Sequence, residues 1–301
     1  MNEAQHVRVA EGVGFIAALD QSGGSTPQAL RQYGVRDVDY ADDERMFDLM
    51  HEFRSRIITS AAFDGDRIVG AILFEQTMQR HVDGMPTPEY LWRRKNVVPF
   101  VKVDEGLDAP SRGVRLMKPF TRLEELLRRS AERGMFGTKM RSVIAGADAD
   151  GIDAVVEQQF TYALQILDAG LVPIIEPEVD VTSPDKAKAE QLLKAAIERR
   201  LNVVPRERQV MLKLSIPTLD GFYTDLITHP NVLRVVALSG GYDRTDAVAR
   251  LARNPGLIAS FSRALTEGLH RDQTDEEFDR TLDESVAAIY AASATSAIHT
   301  A

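Results

Sequence analysis

The sequence contains no cysteine, which excludes disulfides and thiolate-bound metal and fits a reducing cytoplasm. Its six histidines, His6, His51, His81, His229, His270 and His299, are scattered, and none pairs at His-x-His or i, i+4 spacing. No metal site is expected, and no cofactor: there is no nucleotide or pyridoxal phosphate motif beyond one generic phosphate loop. No lysine- or arginine-rich patch stands out and the formal net charge is -9, so nucleic acid is a poor partner. No apolar run approaches the ~18 residues of a membrane span, and the opening MNEAQHVRVAEG lacks an apolar signal core. A soluble, cytoplasmic protein with no membrane partner is expected. A homo-oligomer is compatible with this composition, and the oligomeric state stays open.

What is present suits a sizeable core: 301 residues, 44% hydrophobic and 27% charged. Short apolar runs alternate with helical patterns along the chain. The runs are 13–19, 68–74, 97–101, 135–141, 171–175, 210–214, 232–238 and 257–261. Helices are expected over about 42–62, from a capping box at Thr121-Arg122-Leu123-Glu124 to a stop at Gly134, and over about 152–169 with Val155, Phe160, Leu164 and Leu167 inward. Another is expected from Ser183-Pro184-Asp185, with proline at its first position. Asp243 opens one more, and Thr274 with Glu277 caps the last, which turns Phe278, Leu282, Val286 and Ile289 inward. The runs lack the apolar/polar alternation of strands with one face in water, as buried parallel strands do. About eight β/α units predict a single-domain (β/α)8 barrel over 1–301, with 1–11 and 292–301 as flexible ends. A doubly wound open sheet is the structural alternative. It calls for a G-x-G-x-x-G turn after the first strand, and the turn here is Asp20-Gln21-Ser22-Gly23-Gly24.

One run carries a lysine inside it: Val210-Met211-Leu212-Lys213-Leu214. Taken alone, such a lysine reads as a strand-end residue snorkelling to solvent. A buried, neutral amine would instead be a nucleophile able to form a Schiff base with a carbonyl. The other runs favour the second reading, because nearly all end in a polar or charged residue: Asp20, Glu75, Lys102, Lys139 with Arg141, Glu176 with Glu178, Ser239 and Arg263. In a barrel those ends converge on one rim, where the active site lies. Lys139 and Arg141 are expected to disfavour the protonated form of Lys213. Ser239-Gly240-Gly241, with Asp243 opening the next helix, suits an anion after the seventh strand, and Arg263 would add a cation.

Eight segments together resemble the class I, Schiff-base-forming fructose-bisphosphate aldolases, especially their shorter bacterial branch. They are GFIAALDQSGGSTP, GAILFEQTM, VVPFVKVDEG, FGTKMRS, GLVPIIEPE, VMLKLSIPT, VVALSGGY and IASFSRAL, and they run from about Gly12 to Tyr290. The resemblance implies a (β/α)8 barrel that uses no metal and cleaves fructose 1,6-bisphosphate to dihydroxyacetone phosphate and glyceraldehyde 3-phosphate. It implies that Lys213 is the Schiff-base lysine and Glu176 the acid/base for carbinolamine formation and dehydration. Asp20 would handle the hydroxyl proton beside the breaking bond. Lys139 would assist near the carbonyl with Arg141 as its companion, and Glu178 would position the lysines. Ser239, Gly240, Gly241, Ser262 and Arg263 would bind the ketose phosphate, with Ser22, Ser25 and Lys102 lining the approach of the other phosphate. The chain departs from the long animal-type members at Met140, at Leu214-Ser215, at Ser262 and in the tail Ile298-His299-Thr300-Ala301, which has no terminal tyrosine. Two other readings stay open: another Schiff-base barrel such as a transaldolase, and a barrel that only binds sugar phosphates or a protein.

Overall fold

The computed structural model describes residues 2–294; the tail departure at 298–301 lies outside them. Eight strands run parallel in the order β1 (Phe15–Leu19), β2 (Ile68–Leu73), β3 (Val98–Lys102), β4 (Gly137–Ile144), β5 (Val172–Val179), β6 (Val210–Ser215), β7 (Val232–Leu238) and β8 (Ile258–Ala259). Each pairs with the next. Ala18 N donates to Phe261 O at 3.1 Å, which joins the last strand to the first. Helices alternate with the strands, as in a (β/α)8 barrel.

The strands read as continuous apolar runs because both faces are buried. Ala17, Leu19, Ala71, Leu73, Leu212 and Leu214 pack outward with the helices. Ile16, Ile72, Phe100, Ile174, Met211 and Val236 fill the interior. Phe100 occupies space that two glycines leave. A Cβ on Gly70 would come within 3.0 Å of its ring, and one on Gly137 within 3.0 Å of the ring and 2.2 Å of Val172 O. The lower end is covered by α1 (Glu3–Glu11), which covers most of the segment expected to be a flexible end; its Val9 is buried among the interior residues. Arg234 on β7 donates to Ala10 O at 2.6 Å and Gly12 O at 3.2 Å, satisfying carbonyls at the end of that helix.

After β1 the chain forms α2 (Ser25–Gln32), and then α3 (Asp43–Thr59), capped by Asp42 accepting from Arg45 N at 2.8 Å. The capping box at Thr274 and Glu277 forms as expected, and Asp243 caps the helix Arg244–Leu251. Three local expectations need correction. The box at Thr121–Glu124 does not form, because Thr121 N and Oγ1 bond to Glu105 at 2.7 and 2.8 Å and the helix Leu123–Glu132 has no side-chain cap. Pro184 stands in the turn before the N-cap Asp185, outside the helix Lys186–Leu201. Leu164 is 39% exposed, and Ala163 and Ile166 face the core in its place.

Candidate active site

Side chains along a strand alternate faces, so each inward position is followed two residues later by another. Four strand positions step from apolar or small to charged in this way: Phe100 to Lys102, Gly137 to Lys139, Ile174 to Glu176, and Met211 to Lys213. On β1 Ile16 and Ala18 lead to Asp20 just past its end. The lower members pack in the interior or face Phe100. The upper members line a cavity of about 960 Å³ at the C-terminal ends of the strands. That volume lies near the upper end of small-molecule sites.

Four of these side chains form one buried array. Lys213 Nζ lies 3.0 Å from Glu176 Oε1. Lys139 Nζ lies 2.9 Å from Glu176 Oε2 and 2.6 Å from Asp20 Oδ2. Asp20 is 9% exposed and the other three no more than 4%, so these charges interact through little solvent. Burial pushes the Asp20 carboxyl up, but Lys139, Lys213 and Lys102 outweigh it and hold the carboxyl well below the usual carboxylate range. Burial likewise raises Glu176, and Lys139 and Lys213 bring it below its ordinary value. Burial lowers Lys139, while Asp20, Glu176 and Asp104 more than reverse this and raise it above the usual lysine value. At neutral pH the array therefore holds two carboxylates and a firmly protonated Lys139, with Glu176 reaching both lysines.

Two sequence expectations concern the groups around this array. Of the two cations expected to act on Lys213, Lys139 is paired with two carboxylates and Arg141 with Glu178. Glu178 was expected to position the lysines, and its ion-pair partner among the described residues is Arg141. The pairing of β4 with β5 brings these two side chains to one place, with Arg141 level with Glu176 and Val143 level with Glu178.

The remaining expected residues lie around the same cavity. Lys102 Nζ bonds to Ser22 Oγ and Asp104 Oδ1, both at 2.8 Å. Ser25 Oγ closes the β1 turn by donating to Ser22 O at 2.8 Å. Ser239, Gly240, Ser262 and Arg263 also line the cavity, and Gly241 stands just outside the lining. Gly240 has φ +61°, and a Cβ there would meet Val181 Cγ1 at 2.5 Å, so the turn requires glycine. Arg263 Nη2 would be 3.5 Å from a Cβ on Gly241, which brings the guanidinium over the glycine turn. Glu75 is at the rim but is taken up by Arg129 at 2.7 Å and Arg122 at 3.5 Å.

Sequence reasoning missed several residues that shape this site. Asp104 holds Lys102, and Gln159 Oε1 accepts from Glu176 N at 2.9 Å. Ser260 is buried at the cavity wall with no hydrogen-bond partner for its hydroxyl among the described residues. Arg54 and Gln21 connect the loops beneath the rim. Only Arg54 left a signal: it falls four residues after Met50 on the apolar stripe of α3, where a guanidinium is out of place.

Comparisons with known proteins point to one family. The family model described as fructose-bisphosphate aldolase class-I matches residues 1–211. The fructose-bisphosphate aldolase class 1 of Clostridium acetobutylicum is 58% identical over 295 residues, spanning 98% of this chain and 100% of that protein. The protein of the same name from Synechocystis is 56% identical over 294 residues, spanning 98% of each. Among solved structures, the Plasmodium falciparum fructose-bisphosphate aldolase, in complex with TRAP and a small-molecule inhibitor, superposes with a TM-score of 0.76 over 98% of this chain and 94% of that one. At 21% identity that likeness speaks to the fold. With the family model covering most of its length and two relatives matching it nearly end to end, the chain belongs to the class I fructose-bisphosphate aldolase family.

Proposed function

We propose that this chain cleaves fructose 1,6-bisphosphate reversibly to dihydroxyacetone phosphate and glyceraldehyde 3-phosphate through a Schiff base on Lys213, without a metal. The observation that carries the reading is the buried array in which one carboxylate, Glu176, lies within 3.0 Å of both lysine amines and Asp20 bonds to the second of them. Glu176 takes a proton from Lys213, whose amine adds to the ketone carbon of the open-chain sugar. Glu176 then returns protons to the carbinolamine oxygen until water leaves. The protonated Lys139 stabilises negative charge that develops on that oxygen. The iminium withdraws electrons from the neighbouring carbon–carbon bond while Asp20 removes the hydroxyl proton on the far carbon. The bond breaks into an aldehyde and an enamine on Lys213, and protonation and hydrolysis release the triose phosphate.

The ketose phosphate sits on the turn at Ser239, Gly240 and Gly241, with Arg263 as its cation and Ser262 beside it. The other phosphate approaches Ser22, Ser25 and Lys102, and Arg141, held by Glu178, faces the same space. These assignments rest on the resemblance and on shared lining of one cavity. The test is borohydride reduction with dihydroxyacetone phosphate in chelator-treated protein, together with a cleavage assay. A covalent adduct on Lys213 and undiminished cleavage are expected; no adduct, or activity lost with the chelator, ends the reading. We also propose a cytoplasmic location, checked by following the cleavage activity through cell fractionation.

A further inference from the structure

Arg54 leads the fully buried side chains in size among the described residues. No carboxylate among those residues lies within ion-pair distance of it, although burying an uncompensated charge costs several kcal/mol or more. Its guanidinium is spent on loops. Nη1 donates to Thr77 Oγ1 at 2.8 Å, and Nη2 donates to the backbone carbonyl of Gln21 at 2.6 Å and to Gln21 Oε1 at 3.3 Å. Nε has no hydrogen-bond partner among the described residues. Gln21 continues the chain of contacts: its Nε2 donates to Ser262 Oγ at 2.7 Å. Thr77, Gln21 and Ser262 follow β2, β1 and β8, three neighbours around the ring. One guanidinium therefore fixes, directly or through Gln21, three consecutive segments of the rim.

The position of these contacts matters more than their number. Gln21 follows Asp20, so the carbonyl that Arg54 grips belongs to the peptide joining Gln21 to Ser22, one residue past the Asp20 carboxylate. The hydroxyl of Ser22 is bound by Lys102. Ser262 precedes Arg263, which lines the same cavity. Asp20 is also under load, because Lys139 pulls on its Oδ2 at 2.6 Å. A carboxylate in that position keeps its aim only if its backbone is held from the other side. A planar guanidinium suits this, because its donors diverge in fixed directions toward two acceptors. Burial lowers the Arg54 guanidinium to about 10, and Asp20 is the acid whose field opposes that fall.

We propose that Arg54 is a positioning residue for the bond-cleaving step. Through the Gln21 carbonyl it fixes the Gln21–Ser22 peptide and so the turn that follows Asp20, and through the Gln21 side chain it ties that turn to the segment bearing Arg263. The proposal rests on the assignment of Asp20 to cleavage and Lys213 with Glu176 to Schiff-base formation. It touches the first task and spares the second, and a merely structural role would make no such distinction.

The experiment compares two activities in the full-length protein. For Arg54→Met, kcat for fructose 1,6-bisphosphate cleavage is expected to fall about 10²-fold while borohydride trapping of dihydroxyacetone phosphate stays within about twofold of wild type, as a small misplacement of one reacting group would give. Arg54→Lys, which keeps the charge and a single donor site, should recover about a tenth of the wild-type rate. A folded Arg54→Met variant with wild-type kcat overturns the proposal, and so does an equal loss of trapping and cleavage. Should Arg54→Met not fold, Gln21→Met carries the test. It keeps the backbone acceptor and removes the link to Ser262, so KM for the bisphosphate should rise about 2–10-fold, the worth of one hydrogen bond, with trapping at saturating dihydroxyacetone phosphate retained. An unchanged KM in that variant overturns the proposal in turn. Failure of the aldolase reading itself is distinct, because wild-type protein would then neither trap nor cleave.

Discussion

The two ends of this barrel are built from the same strands and solve opposite problems. Its lower half is dry: Ile16, Val98, Phe100, Ile174 and Met211 interlock over glycines, and Val9 of α1 packs beneath them. Two residues further along the same strands, Lys102, Lys139, Glu176 and Lys213 meet in a cavity. Each end also holds an arginine with no carboxylate partner among the described residues, fully buried above and half-buried below. Arg234 below and Arg54 above both donate to backbone carbonyls. Below, the guanidinium holds the closing helix; above, it holds the turn that carries Asp20. The difference shows where the fold keeps its stability and where it keeps its chemistry. Close packing at the floor lets the rim gather buried charges whose desolvation is costly.

The sharpest break of this division is Lys213→Met. Cleavage and borohydride trapping are expected to vanish while circular dichroism still reports the folded barrel, since Glu176 keeps Lys139 as its ion-pair partner when the buried amine is replaced by an apolar side chain of similar length. Next comes Glu176→Gln, expected to lower cleavage about 10²–10⁴-fold with the fold retained, the range for loss of a positioned acid/base group. Stopped-flow or quenched turnover on the purified variant measures it. The converse change, Phe100→Ala in the floor, should cost about 3–5 kcal/mol of stability in a denaturant titration. Trapping per folded molecule should stay unchanged. Arg234→Met should cost about 1.5–3 kcal/mol by loss of charged hydrogen bonds to α1, again with trapping kept.

The smallest effect is in the pH dependence of stability. Asp20 and Glu176 have depressed pKa values, so their contribution is present above the unfolded carboxylate range near pH 4 and is lost as pH falls through their folded values. Lys139 is raised, so its contribution is complete below the unfolded value of about 10.4 and is lost only as pH rises through its higher folded value. Asp20→Asn should therefore flatten the acid limb of a stability profile recorded below about pH 4. A matched change at the floor, where no carboxylate is buried among those interior residues, should leave that limb as steep as in wild type.

Much of the architecture was legible because buried parallel strands write themselves as short apolar runs, and the residue that ends each run marks the rim. Local signals failed where a distant group competed. Thr121 faced Glu124 three residues on, but Glu105 reached it first from sixteen residues before. Leu164 fits a helical period yet lies off the buried stripe, because the helix Ala149–Asp168 covers the face that carries Val156, Gln159, Ala163 and Ile166. β8 shrank to two residues, since its pairing with β7 spans only Val236 with Ile258 and Ala237 with Ala259.

The order of strands and helices, and the charged residue at the end of each run, came from the sequence alone, because burial on both faces and a period of two leave their trace in consecutive residues. Who partners whom did not. That Glu176 reaches both lysines, that Glu178 takes Arg141, and that Arg54 holds the turn after Asp20 depend on strand stagger and loop closure. Those are set by contacts between segments tens of residues apart, and no local pattern records them.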